Sequence, residues 1–397
     1  MTQLPLPLAP ESIAPADPID PGRCRMKTTH HPLVEATPGT TQSLLSLHYG
    51  SPGAGPKVLI QASLHADEVP GMLVAHHLRQ RLDVLQAQGR VRGQVVLLPA
   101  ANPIGLHQAI TGSHLGRFEL ASGENFNRHY ADLTEAVAQA VQGHLGDDAQ
   151  ANVATVRAAL RDAVAALPVA STLDSLRRVL LGLAVDADVV IDLHCDGEAV
   201  LHLYTTPACW PALQPLARCL GAQAVLLAGR SGGEPFDEAC SMLWPDLAQR
   251  LGPAIALPQG CLAVTVELRG EADVDHTLAA ADAEGLLQFL ALRGLLDIEV
   301  AEPPPLRCQA TPLAGSVPIV APHGGVVVFA RRPGDTVQAG ELIAEIINPI
   351  TGATTPLHTP VAGLFFARDH RRFARAGGRL GKVAGALALR QDRLLSP

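Results

Sequence analysis

The sequence predicts an α/β protein with a mixed, mostly parallel sheet flanked by helices, followed by a small C-terminal all-β, barrel-like domain. Residues 43–99 alternate strand, helix and strand patterns at lengths typical of α/β units. Residues 187–194 are almost continuously apolar, as expected for a buried parallel strand. After residue 310 the pattern changes to short Val, Ile and Phe runs separated by glycine turns, which indicates antiparallel strands.

Composition supports a globular protein and excludes some partners. The 397 residues are 47% hydrophobic and 17% charged, enough for a large core. The net charge is −8, and no run of basic residues occurs. We therefore expect no nucleic acid and no membrane as a partner.

Several features favour the cytoplasm. No apolar run reaches the roughly 18 residues that a membrane span requires. Residues 1–25 are rich in proline and lack the pattern of a signal peptide, so they are predicted to be a mobile leader. The seven cysteines form no C-x-x-C pair, which indicates reduced thiols.

The first domain is predicted to span residues 26–300. Strands are expected at Ser43–Tyr49, Lys57–Ile60 and Gly93–Pro99, with a helix between the last two from about Pro70 to Gln88. Residues 131–181 have a helical composition with breaks near Gly143 and Pro168, and they are predicted to be a helical insertion.

Residues 301–310 are predicted to be a proline-rich linker, because three consecutive prolines stiffen the chain there. Residues 311–397 resemble the biotinyl/lipoyl barrel. Such a domain carries its swinging arm on a lysine at a hairpin tip, which here falls near Ile347–Ile350 and contains no lysine. The only lysine after Lys57 is Lys382, outside that hairpin, so a carrier function is not expected.

His65 and Glu68 form the first candidate metal-binding pair. They lie three residues apart between the Lys57 strand and the following helix, where both side chains can bind one cation. An H-x-x-E sequence is also common in surface turns, and that alternative remains open for this pair alone.

Two further strands end in candidate functional residues. Asp192 and His194 lie on the same face of the strand at residues 187–194, and Glu267 lies near the end of a Val- and Thr-rich strand. Each has a structural alternative, a core histidine or a salt-bridged edge glutamate. Three protein ligands with one open position are typical of catalytic zinc, and a nearby free carboxylate suits a general base.

Together these residues resemble the zinc carboxypeptidase clan, and more closely its succinylglutamate desuccinylase/aspartoacylase branch. The matching motifs are His65-x-x-Glu68, Asn102-Pro-x-Gly105, Arg117, Asn127-Arg128, Asp192-Leu-His194 and Glu267. The resemblance implies one Zn²⁺ per chain, bound by His65, Glu68 and His194.

The same resemblance implies the remaining roles. Glu267 would be the general base, Arg117 would polarise the scissile carbonyl, and Asn127 and Arg128 would bind the substrate carboxylate. It also implies that the C-terminal domain caps the site. The tyrosine that the clan's peptidases use has no counterpart, because no tyrosine follows Glu267.

Several assignments stay open at the level of sequence. Arg128 could instead brace its own loop against Glu119 or Glu124. Asp196 and Glu198 suit either a cationic substrate group or a solvated turn. For Arg269, His323 and Arg332, the pocket and the surface are both compatible with the sequence.

The sequence therefore favours a zinc-dependent amidohydrolase that deacylates a small N-acyl amino acid or related amide. A metallocarboxypeptidase for short peptides is the alternative, and a non-catalytic binding protein ranks last because the predicted site is complete. The expected partner is a small-molecule amide substrate. Formation of a homo-oligomer is compatible with the sequence.

Overall fold

A computed structural model describes residues 26–391 and 394–395 of the chain. The predicted leader, residues 1–25, lies outside the described residues. The strands of the first part of the chain are β1 Lys27–Pro32, β2 Ser43–Gly50, β3 Lys57–Ala62, β4 Gln94–Leu98, β5 Ala109–Ile110, β6 Ser113–His114, β7 Val189–Asp196, β8 Glu198–Ala199, β9 His202–Thr205, β10 Ala224–Leu227, β11 Leu262–Gly270 and β12 Ala310–Pro312. The helices are α1 Pro70–Ala87, α2 Pro103–Leu106, α3 Thr134–Ala140, α4 Ala149–Ala165, α5 Thr172–Ala184, α6 Trp210–Leu220, α7 Phe236–Ser241, α8 Leu243–Leu251 and α9 His276–Leu292.

A nine-stranded sheet forms the centre of the molecule, in the order β1-β2-β4-β3-β7-β11-β9-β10-β12. The pairs β4–β3, β3–β7, β7–β11, β9–β10 and β10–β12 are parallel, and the others are antiparallel. The predicted mixed, mostly parallel sheet flanked by helices is therefore confirmed. Because β3, β7 and β11 are adjacent and parallel, their carboxyl ends meet at one edge of the sheet.

Apolar side chains alternate between the two faces of the sheet and bury both. Helices α1, α6 and α9 pack on the face that carries Ile60 and Ile191. The opposite face, which carries Leu59 and Val190, is covered by α3, α4, α5, α7 and α8. The same alternation places Asp192 and His194 on the face of Val190. Polar side chains at these two positions are thus directed into a buried layer.

The C-terminal part of the chain is built from short strands. These are β13 Ser316–Val320, β14 Gly325–Phe329, β15 Thr336–Val337, β16 Leu342–Ile347, β17 Thr354–His358, β18 Gly363–Arg368, β19 Phe373–Ala374 and β20 Arg379–Ala384. They form the sheets β13-β20-β18-β15 and β17-β16-β14-β19, whose pairs are antiparallel. We call residues 313–384 the β unit. Its strands agree with the predicted all-β character, and closure into a barrel stays a prediction.

The β unit joins the first part of the chain through backbone pairing as well as side chains. Strand β8, which follows β7 directly, pairs with β18. The β unit is therefore attached next to the carboxyl end of the strand that carries His194. In the described residues, no helix combines the length and apolar composition needed to cross a membrane.

Candidate metal centre and active site

The carboxyl ends of β3, β7 and β11 bring the predicted site residues together. His65 lies three residues beyond β3, and His194 and Glu267 lie within β7 and β11, where they are direct neighbours in the parallel register. This edge of the sheet is where ligands bind in open α/β folds.

The turn that carries His65 is held by contacts to two later segments. The side-chain amide of Asn102 donates a hydrogen bond to the Leu64 carbonyl at 2.8 Å, and its Oδ1 accepts one from the Gly105 backbone N–H. The Ala66 N–H donates to the Gly116 carbonyl at 2.9 Å. A β-carbon at Gly116 would lie 2.1 Å from the Asp67 nitrogen, so only glycine allows this approach.

His65, Glu68 and His194 converge on one point. His65 Nδ1 lies 2.8 Å from Glu68 Oε1, and His194 Nδ1 lies 2.7 Å from Glu68 Oε2. All three residues are buried, with one ligand atom from each within 4.8 Å of the others. Two imidazoles and one carboxylate are the donor set of many catalytic zinc sites.

The outer nitrogens of both histidines are also occupied. Asn125 Oδ1 lies 2.8 Å from His65 Nε2, and Asp192 Oδ2 lies 3.0 Å from His194 Nε2. Such partners leave Nδ1 of each ring directed at the centre and fix the ring orientation. The arrangement therefore fits a metal that binds both Nδ1 atoms and the Glu68 carboxylate.

Electrostatics within this group follow from the burial and from the neighbouring charges. Burial and the nearby Arg117 lower the pKa of His65. For His194 burial opposes protonation, but Asp192 and Glu68 outweigh it and hold the pKa well above its usual range. Burial likewise opposes ionisation of Glu68, and the two histidines overcome it, so the Glu68 pKa lies well below normal. Glu68 is thus held as an anion, the form that can bind a cation.

The three other predicted residues of the loop between α2 and α3 surround this centre. Arg117 Nη1 lies 3.0 Å from Glu68 Oε1 and 3.2 Å from His65 Nδ1. Asn127 Nδ2 lies 3.4 Å from His194 Nε2, and its Oδ1 accepts from the Phe236 backbone. Arg128 is buried, donates to the Asn127 carbonyl and lines the same cavity.

Glu124, one of the suggested partners of Arg128, forms its ion pair with Arg177 of α5 at 2.8 Å. Arg177 also donates to the Asn125 carbonyl. The loop is therefore braced by the helical segment before β7, and the Arg128 side chain faces the cavity.

Glu267 lies beside the metal-binding group without joining it. Its Oε2 is inaccessible to solvent and has no hydrogen-bond partner among the described residues. Burial, reinforced by Asp196 and Glu68, raises the pKa of Glu267 to about 8. A carboxyl with a pKa near neutrality suits both proton abstraction and proton donation.

The comparisons with known proteins agree with this site. The model of the succinylglutamate desuccinylase/aspartoacylase catalytic domain matches residues 54–156, which include His65, Glu68, Arg117 and Asn127. A solved succinylglutamate desuccinylase/aspartoacylase family protein of Shewanella amazonensis is 28% identical, with a TM-score of 0.80 over 90% of this chain and 98% of that one. The chain is thus similar to the succinylglutamate desuccinylase/aspartoacylase catalytic domain over residues 54–156, and to a solved protein of that family over most of its length.

Two more distant structures show the same fold. A succinylglutamate desuccinylase/aspartoacylase of Shewanella frigidimarina is 24% identical, with a TM-score of 0.81 over 91% of this chain and 97% of that one. The ectoine utilization protein EutE (DoeB) of Ruegeria pomeroyi is 18% identical, with a TM-score of 0.66 over 94% and 98% of the two chains. The search of curated proteins gave no match. The similarity to the succinylglutamate desuccinylase/aspartoacylase catalytic domain supports an enzyme.

A cavity of about 310 Å³ opens onto the predicted residues. Its lining also includes residues of the β unit, namely Leu313, Ser316, Pro318, Ala367, Arg368, Asp369, His370, Arg371, Arg379, Leu380, Gly381 and Lys382. The β unit thus forms part of the cavity wall. Ligand cavities for small molecules begin at about this volume.

The acidic residues after His194 meet cations of the chain itself. Asp196 Oδ2 accepts from Lys382 Nζ at 2.7 Å, and Glu198 binds Arg368 at 2.6 Å as well as Arg372. These pairs replace both earlier interpretations, a cationic substrate group and a solvated turn.

Three other open assignments lie away from the cavity. Arg269 forms an ion pair with Asp282 of α9. His323 Nε2 lies 2.8 Å from Thr355 Oγ1 on the β unit, and the backbone of Arg332 donates to Asp335. None of the three lines the cavity.

Sequence reasoning gave no role to four residues of the site: Asn125, Asp237, Glu238 and Lys382. Asn125 carries a usable signal, because it stands two residues before Asn127 in the glycine-rich loop. The position of Lys382 depends on how the β unit packs, which no local pattern specifies.

Proposed function

We propose that the protein is a zinc-dependent hydrolase that cleaves the amide bond of a small N-acyl amino acid or related amide. The convergence of His65, Glu68 and His194 beside the unbonded carboxyl of Glu267 carries this proposal. Similarity to the succinylglutamate desuccinylase/aspartoacylase catalytic domain supports it.

When bound, the metal supplies Lewis acidity, which lowers the pKa of the attacking water to about 7. Glu267 lines the cavity next to the metal-binding group, so its carboxyl would take the proton of that water. The same carboxyl then protonates the leaving amine. Its elevated pKa favours this second role, because a proton held there near neutral pH is readily transferred.

The basic and amide side chains of the loop between α2 and α3 would orient the substrate. Arg117 places Nη1 next to the metal ligands, where it can donate to the carbonyl oxygen as negative charge develops. Arg128 offers a planar guanidinium to the substrate carboxylate, and Asn127 lies between it and His194. The capped cavity favours a small amide over a long peptide.

The test combines metal content with turnover of a panel of N-acyl amino acids and peptides. Purified protein is expected to hold one zinc per chain and to deacylate a member of the panel. Glu267→Gln keeps the size of the side chain and removes the base, so kcat/KM should fall by about 10²–10⁴-fold with zinc retained. The matched control, Glu299→Gln, alters an exposed glutamate outside the cavity and should leave kcat/KM unchanged.

Two results would change the assignment. Zinc with turnover of peptides alone would favour the metallocarboxypeptidase alternative. Protein that binds no zinc when the metal is supplied, or a Glu267→Gln variant with full activity, would refute the proposed mechanism.

A further inference from the structure

A second group of ligand atoms lies beside the proposed zinc site. Asp196, His202 and Glu267 each place one ligand atom within 4.8 Å of the others, and Asp196 and Glu267 line the cavity. A histidine and two carboxylates are a common donor set for divalent metals. Glu267 and His194 are neighbours in the register of β11 and β7, so the two groups share one edge of the sheet.

The hydrogen bonds of His202 show which of its nitrogens faces this second group. Nδ1 lies 2.8 Å from the Val200 carbonyl, an acceptor, so Nδ1 carries the proton. Nε2 then presents a lone pair, lies 3.7 Å from Asp196 Oδ2, and has no hydrogen-bond partner in the described part of the chain. His202 is fully buried, which keeps the imidazole neutral.

Three acceptors therefore converge without a donor of their own: Asp196 Oδ2, His202 Nε2 and the Glu267 carboxylate. Buried acceptors in such an arrangement require a cation or several N–H donors between them. Lys382 of β20 provides the positive charge, and its ammonium donates a hydrogen bond to Asp196 Oδ2.

The position of Lys382 matches that requirement. Nζ lies 2.7 Å from Asp196 Oδ2 and 5.8 Å from the centre of the Phe366 ring, and the side chain is 30% exposed where it lines the cavity. Asp196, Tyr204 and Glu267 all contribute to the electrostatic stabilisation of the ammonium. The two other lysines of the protein, Lys27 and Lys57, lie in the first three strands of the chain.

We propose that Lys382 is the resident cation of this second group, so that the β unit supplies a fixed charge where a second metal would otherwise bind. The lysine thereby keeps the site mononuclear, holds Asp196 through its hydrogen bond and places a positive charge near Glu267. It is a positioning residue, and only its effect on Glu267 rests on the proposed hydrolase function.

Metal stoichiometry tests the proposal without an activity assay. Wild type, Lys382→Ala and Lys382→Arg are dialysed against the same micromolar free zinc, and bound metal is measured per chain. Removing the ammonium should expose the three acceptors, so Lys382→Ala should bind one zinc more than wild type. Lys382→Arg retains the positive charge and should match wild type.

Further variants separate this outcome from a structural role of the lysine. Lys382→Ala combined with Asp196→Asn should return to the wild-type number, because one of the three ligands is lost. Lys27→Ala, which removes an exposed lysine of β1, should show no gain. Loosening of the β unit would lower the melting temperature without adding a metal equivalent.

A folded Lys382→Ala protein with the wild-type stoichiometry would overturn the proposal. If this variant does not fold, Lys382→Thr, whose side chain suits a strand, replaces it with the same criterion. The readout is the difference between variant and wild type. A wild-type protein without zinc would therefore contradict the proposed function but not this inference.

Discussion

At the scale of single residues, the centre is organised before any metal enters. The Nδ1 atoms of His65 and His194 both contact the Glu68 carboxylate. Their Nε2 atoms lie next to Asn125 and Asp192, respectively. Binding a metal then requires little reorganisation of the rings, which is the usual purpose of such outer contacts.

Asp192 gives the most direct test of this preorganisation. Asp192→Asn keeps the shape but removes the charge that supports His194, so zinc affinity should fall by about 10–100-fold. Competition with a chromophoric chelator measures the change. Asp147→Asn, an exposed position in the loop before α4, serves as the control and should bind zinc like wild type. Equal affinity in Asp192→Asn would show that Asp192 does not tune the ligand.

At the scale of secondary-structure elements, the site depends on turns that are held in unusual conformations. Ser63, His129 and Arg269 have positive φ values of 63°, 58° and 70°, and each stands within two residues of a predicted site residue. Left-handed backbone at residues other than glycine costs free energy and persists where surrounding contacts impose it. The ends of β3 and β11 are shaped in this way.

Gly116 holds the loop between α2 and α3 against the His65 turn, and its replacement should separate the two. In Gly116→Ala the new methyl group would meet the backbone of Ala66 and Asp67, which cannot move aside cheaply. We expect a loss of about 1–3 kcal/mol in the free energy of unfolding, measured in denaturant, together with weaker zinc binding. Gly146→Ala, where no atom lies within 4 Å of the added carbon, should change neither quantity strongly. A Gly116→Ala protein as stable as Gly146→Ala would contradict this reading.

What the sequence could predict follows from how local the signals are. The runs that became β3, α1, β7 and β11 carry their own periodicity, and parallel strands place His65, His194 and Glu267 at one edge without further information. Strand β1 and the helices α6–α8 were not predicted, although α6 and α8 carry a helical apolar pattern whose leucines, Leu213 and Leu216 on α6 and Leu243 and Leu247 on α8, are buried. Lys382 could not be linked to Asp196, since the two residues are 186 positions apart in the sequence and Lys382 belongs to the β unit.

At the scale of the whole molecule, the β unit contacts the first part of the chain through the segment after β7. The pairing of β8 with β18 places Glu198 opposite Arg368, and Arg372 approaches the same carboxylate. Arg368 also stacks over the Phe329 ring, with 4.8 Å from its guanidinium carbon to the ring centre. Opening of the cavity would therefore require these contacts to break.

The pair between Glu198 and Arg368 should consequently couple capping to turnover. Glu198→Gln, Arg368→Met and the double variant form a double-mutant cycle, for which we expect a coupling of about 0.5–1.5 kcal/mol in unfolding free energy. The coupling should be modest and weaken with added salt, because Glu198 is 33% exposed. If the cap excludes large substrates, each single variant should also raise the turnover of N-acylated dipeptides relative to N-acyl amino acids.

Arg331→Met, whose guanidinium binds Glu341 inside the β unit, is the matched control and should leave that ratio unchanged. Additive stability effects with an unaltered substrate ratio would show that the cap is held by its backbone pairing alone.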